Sequence, residues 1–193
     1  MKYPLDVRFK LIAISPQLTV RDADGNTLFY IRQKAFKLRE SVHVFADEAQ
    51  TREVARIKAD RIIDLSATYN FEDPQGRSFG AVRRKGMRSF WKAHYEVLSP
   101  DGGVMTLRED NAFVKLMDGL FANIPLVGML SGYVFNPTYT ITRGSEPVLR
   151  IVKRPAFLES RFEINRLGEL DTGEEALSIL SVVMMLLLER ARG

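Results

Sequence analysis

The densest chemistry-bearing group in the sequence is cationic: Arg83, Arg84, Lys85 and Arg88, followed by Lys92. Cations clustered near a surface attract anionic lipid headgroups by about 1 kcal/mol each, attenuated within a Debye length. The competing reading is a solvated hairpin tip whose charges prevent strands from pairing edge to edge. Lys34, Lys37 and Arg39 form a weaker group of the same kind. Phe90 and Trp91 adjoin the main cluster, which raises base stacking beside phosphate contacts. Trp91 belongs to an alternating strand, however, and is expected to point inward, so nucleic acid is not an expected partner.

Other chemistries have less to stand on. The chain has no cysteine, which removes disulfides, thiolate metal sites, cysteine nucleophiles and palmitoylation. Its two histidines are His43 and His94, each on an expected strand with no second ligand at metal spacing. Asp22, Asp24 and Asn26 imitate the start of a calcium loop. Thr27 and Gln33 stand where the loop glycine and terminal glutamate belong, so a hairpin turn is the better reading. No nucleophile elbow, P-loop or dinucleotide glycine pattern occurs. A carboxylate pair assembled from distant strands stays open.

The elements that position these residues read mostly with period two. Leu65, Ala67, Tyr69 and Phe71 alternate with Ser66, Thr68 and Asn70; Trp91, Ala93, Tyr95 and Val97 alternate with Lys92, His94 and Glu96. Successive strand side chains face opposite ways, so each segment has one apolar and one wet face, as in an antiparallel sheet with water on one side. Turn signals rich in Gly, Asn, Asp and Pro fall at 22–26, 73–76, 99–103 and 143–147. Between them lie twelve candidate strands: 8–14, 17–22, 27–33, 37–46, 53–59, 64–71, 78–84, 90–98, 104–109, 138–143, 148–153 and 159–165.

Two segments leave this pattern. Residues 111–121 carry apolar side chains at helical spacing. At the C-terminus, Thr172 to Glu175 has the form of a capping box, and residues 176–188 are apolar except for Ser178 and Ser181. Arg190 and Arg192 then complement the negative end of a helix dipole. This helix has no face built for water. Its 13-residue apolar run is short of the ~20 residues a membrane span needs, so it is expected inside protein. Twelve strands spaced about 4.8 Å and tilted about 40° close into a barrel of radius about 12 Å, which leaves room for one helix; eight strands do not. The expected fold is therefore mainly β: a closed antiparallel barrel of about twelve strands around a buried apolar C-terminal helix, with residues 1–193 as one domain.

The hairpins of residues 19–45, the glycine-punctuated apolar connector 124–135 and the closing helix 174–190 resemble LURP-one-related proteins. That family belongs with the tubby C-terminal domains and the phospholipid scramblases. The resemblance implies a twelve-stranded barrel around a central C-terminal helix. It also implies a range of functions: tubby domains bind phosphoinositide headgroups through basic residues, scramblases act at membranes with calcium and acylated cysteines, and LURP-one proteins are linked to plant defence. This chain departs from the scramblases. It has no cysteine to acylate, no span after the barrel and no acidic calcium loop, which argues against calcium-driven scrambling.

Net charge is +4, unevenly spread: residues 1–96 hold 18 basic and 12 acidic side chains, and residues 97–193 hold 10 and 12. Residues 1–10 have no apolar core and do not read as a signal peptide. A cytoplasmic protein, peripheral at a membrane where it meets lipid, is the expectation. Residues 119–142 contain no charged side chain. Pro125, Gly128 and Gly132 make them too irregular for a lipid-facing span, and a plug in a barrel mouth is the preferred reading. Taken together, the sequence points to a non-enzymatic binding module that engages anionic phospholipid, with Arg83, Arg84, Lys85, Arg88 and Lys92 as headgroup ligands. The alternative is a structural or protein-interaction barrel with no small ligand. No catalytic residue, metal or cofactor is expected.

Overall fold

A computed structural model describes residues 1–10, 17–32, 41–60, 67–85, 94–110, 137–157 and 159–190. The strands are β1 (Leu5–Lys10), β2 (Gln17–Arg21), β3 (Thr27–Arg32), β4 (Val42–Phe45), β5 (Glu53–Ala59), β6 (Thr68–Glu72), β7 (Ser78–Arg84), β8 (His94–Leu98), β9 (Val104–Glu109), β10 (Thr138–Arg143), β11 (Glu146–Arg154) and β12 (Glu159–Arg166). One helix follows, α1 (Thr172–Arg190). Every strand pairs antiparallel with its neighbours in sequence, and β1 pairs with β12 from Leu5↔Ile164 to Lys10↔Glu159, closing the barrel. Closure leaves no edge strand to aggregate.

Alternation decides which side chains enter the barrel. Leu5, Val7 and Phe9 of β1, Tyr95 and Val97 of β8, Met105 and Leu107 of β9, and Phe162 and Ile164 of β12 are buried, while their neighbours in sequence face out. They meet α1, whose residues from Leu177 to Leu187 are buried on all sides, in a single apolar cluster. The fold class is the expected one, and all twelve expected strands occur. The first begins three residues before residue 8, because the alternation of Leu5 and Val7 already belongs to it. The segments 111–121 and 124–135 lie outside the described residues, and of 119–142 only 137–142 are described.

The helix start corrects one expectation. Asp171, and not Thr172, is the N-cap: Glu174 N donates to Asp171 Oδ1 at 2.8 Å, and Asp171 N donates to Glu174 Oε2 at 3.1 Å. The reciprocal box is thus Asp171–Glu174, one residue earlier than expected. Glu175 instead turns into the barrel mouth, where the Met1 ammonium lies 3.1 Å and Arg166 Nη1 3.6 Å from its carboxylate. Because β12 leads directly into α1, the helix starts at the mouth ringed by the turns β2–β3, β4–β5, β6–β7, β8–β9 and β10–β11. It ends at the opposite mouth, where Arg190 lies over Phe9.

Candidate functional site

The basic cluster sits at the end of β7, at the mouth where α1 ends. Arg83 and Lys85 face outward and Arg84 has the inward phase. The register pairs Arg83 with Glu96 across β7 and β8. Arg83 Nε lies 2.7 Å from Glu96 Oε2, and Lys85 Nζ lies 2.8 Å from Glu96 Oε1. Glu96 is an outward-facing side chain only 11% exposed, because these two cations and the neighbouring strands cover it. Hydrogen bonds from Lys85 and Arg83 hold its carboxyl below the usual range despite burial. The cluster thus carries its own counter-ion. Arg83 and Lys85 keep about half of their side chains in solvent, at 51% and 60%.

The sheet extends this positive face beyond the residues that the sequence reading singled out. The register runs His94↔Arg108, Arg108↔Thr140 and Thr140↔Arg150 across β8 to β11. All four therefore share the outer wall, and Arg108 and Arg150 are exposed. Only β10 lies between Arg108 and Arg150, which puts them two strand spacings apart, about 10 Å. Among the described residues, no ion pair engages either guanidinium. His94 titrates below its ordinary value, through burial first and then through the charges of Arg108 and Lys85. After burial, the part of this lowering that comes from Arg108 and Lys85 is what a positive surface does to an imidazole. The signal in sequence was available: Arg108 and Arg150 each occupy the wet phase of a strand.

Arg88 and Lys92, with Phe90, Trp91, Lys34, Lys37 and Arg39, lie outside the described residues. The imitation of a calcium loop at Asp22 is a closed turn. Asp22 Oδ1 accepts the amides of Asp24 at 3.0 Å and Asn26 at 2.9 Å, and Gly25 supplies the left-handed residue at φ 85°. Among the described residues, no group of three His, Asp or Glu side chains could hold a metal ion.

One arrangement has the shape of a hydrolytic relay. Ser41 Oγ is 3.2 Å from His43 Nε2, and His43 Nδ1 is 2.7 Å from Glu53 Oε1. It arises because residues two apart on a strand share a face and the bulge at Val44/Phe45 brings Glu53 alongside. Its chemistry is spent elsewhere. Arg56 holds both oxygens of Glu53, at 2.6 and 2.7 Å, and this contact above all lowers the carboxyl to about 2. The string lies on the convex outer wall, away from both mouth clefts, with His43 half exposed. Catalysis of acyl transfer needs donors aimed at an oxyanion in a water-excluded site, and a convex wall provides neither. The string ties β4 to β5.

The mouth where α1 begins holds a cleft of about 360 Å³, walled by Phe79, Val104, Met105 and Leu177 and rimmed by Asp101, Asp171 and Glu174. Arg143 crosses this rim, donating from Nη2 to the Glu169 carbonyl and to Glu174 Oε2, both at 2.8 Å. The rim is thus engaged in anchoring the helix start. Among the described residues, no helix is long and apolar enough to cross a membrane.

A protein-family model described as LURP-one-related matches residues 27–166. Among solved structures, the X-ray structure of a protein from Arabidopsis thaliana is similar at 12% sequence identity, with a TM-score of 0.50 over 98% of this chain and 92% of that one. At that identity the likeness concerns the fold. A comparison with curated proteins finds no match.

Proposed function

The chain belongs to the LURP-one-related family, and from that premise we propose that it is a non-enzymatic binding module that engages anionic phospholipid at a cytoplasmic membrane surface. The observation that carries this reading is the outer-wall face formed by Arg83, Lys85, Arg108 and Arg150, on which Glu96 and Asp110 are the anions. Four cations against two carboxylates, Glu96 and the Asp110 that accepts the Thr140 hydroxyl, leave two net positive charges. At about 1 kcal/mol per charge near an anionic leaflet this gives about 2 kcal/mol, or roughly a thirtyfold preference for anionic over neutral membranes. Arg88 and Lys92 would add to the same term. A closed wall without a free strand edge suits a module that binds by its surface and not by strand addition.

A second reading has its own observation. Glu96 already engages Arg83 and Lys85, as expected if the cluster's role is to hold β7 against β8 in a barrel that meets only other proteins. Co-sedimentation with vesicles separates the two. The lipid reading predicts pelleting with vesicles containing phosphoinositide or phosphatidylserine but not with pure phosphatidylcholine. That binding should weaken with salt and fall about tenfold or more when Arg108 and Arg150 are both replaced by Ala. Equal failure on all vesicles removes it in favour of the protein-interaction reading.

A further inference from the structure

The mouth where α1 ends holds a second cleft, of about 340 Å³, whose walls differ in kind from those of the first. Phe9, Tyr139, Phe162 and Leu186 form its sides, all at least nine-tenths buried in the apolar cluster. Its volume is at the small end of the range for clefts that hold small molecules. The register then places a polar group where the inward alternation calls for an apolar one, twice. Lys153 follows Ile151 at the inward phase of β11 and lies opposite Phe162, and Ser160 lies opposite Phe9. Among the described residues, no hydrogen bond or ion pair engages the Lys153 ammonium.

The other charged groups of the cleft have contacts of their own. Arg190 lies with its guanidinium 4.4 Å from the Phe9 ring centroid, and its charge complements the negative end of the helix dipole. Glu189 accepts the Tyr95 hydroxyl at 2.7 Å, and burial together with this carboxylate pushes that phenol far up and keeps it a donor. Tyr139 is likewise pushed up, by burial and then by the charges of Glu109 and Glu189. Lys153 and Arg190 thus line the cleft together with Glu189, which is already bonded, beside an aromatic wall, and Glu109 stands next to Tyr139.

We propose that this cleft binds a single small amphiphile, a carboxylate or phosphate head on a short apolar tail, with Lys153 meeting the head and Phe9, Tyr139, Phe162 and Leu186 enclosing the tail. This site is inside the barrel mouth and distinct from the outer wall that faces a membrane. A ligand here comes from solution one molecule at a time, and its tail excludes water from the Lys153 contact, which strengthens that contact.

The test is isothermal titration of the full chain with decanoate at pH 8 and with decyl phosphate, each kept below its micelle concentration, with decyltrimethylammonium as the same tail on the opposite head. The proposal expects one-to-one saturable binding of at least one of the two anions and none of the ammonium. Lys153→Gln should weaken binding about tenfold and Lys153→Arg should retain most of it. Equal binding of the anionic and cationic amphiphiles, full affinity in Lys153→Gln, or no binding of either anion overturns it. Vesicle co-sedimentation of Lys153→Gln keeps this result apart from the outer-wall reading, because that variant should pellet as the unchanged protein does.

Discussion

Gly80 gives the sharpest prediction. It lies on β7 with φ +145°, a backbone state that side chains with a Cβ rarely adopt. An added Cβ would stand 2.5 Å from Leu177 Cδ1 and 2.8 Å from the Leu98 carbonyl oxygen. Leu177 is the first large side chain of α1 to enter the barrel and is 1% exposed, so it has little room to turn. The carbonyl cannot move without breaking the β7–β8 ladder. Gly80→Ala therefore incurs about 1–2 kcal/mol of backbone strain and about 1–3 kcal/mol of overpacking, together about 3 kcal/mol. That corresponds to a melting temperature lower by about 6–12 °C for a chain of this size. Chemical denaturation with a constant m-value measures it. Leu177→Ala relieves the side-chain part alone, so the double variant should be more stable than the sum of the singles by about 1 kcal/mol. A loss below about 0.5 kcal/mol for Gly80→Ala, or strict additivity with Leu177→Ala, would refute the close approach of helix and wall at this point.

The outer wall makes its own prediction. Glu96→Gln removes one of the two anions of this face, so binding to anionic vesicles should rise about fivefold at low salt, and the gain should shrink as salt is added. At Glu53 the folded carboxyl is held at about 2, against 4.5 unfolded. A depressed carboxyl stabilises the fold above its unfolded value, and that contribution is lost as pH falls from 4.5 toward 2. Solvent screening limits it to about 1 kcal/mol, so Glu53→Gln should be less stable by that amount at pH 7 and equal to the unchanged protein below pH 2 in urea titrations. Within α1, Ser181 Oγ donates to the Leu177 carbonyl at 2.8 Å, within its own helix. Ser181→Ala should thus shift stability by no more than about 0.5 kcal/mol, while Leu180→Ala, which empties core volume, should cost about 3 kcal/mol.

The architecture was readable because two independent patterns converge on it. Alternation marked the strands, and the all-round apolar character from Leu177 to Leu187 demanded a sheath. What the sequence hid lies in register. Nothing in the order of residues says that Arg150 stands level with Arg108 from two strands away, or that Glu96 lies between Arg83 and Lys85. Those facts depend on how twelve ladders align. The helix cap was misplaced for a simpler reason. Asp171 and Thr172 are both good caps, each with a glutamate three residues on, and the choice follows from where β12 releases the chain. Lys153 is hidden in the sequence because a lysine late in a strand reads as solvated, and only the register sets it opposite the inward-facing Phe162.

The proposition beneath all of this is that the last helix is the filling of the barrel. Native-state hydrogen exchange on the full chain measures it residue by residue. The amides from Leu177 to Leu187 should exchange only through global unfolding, with opening free energies equal to that of complete denaturation. Exchange there at rates near those of an unstructured peptide, while the strand amides stay protected, would contradict it.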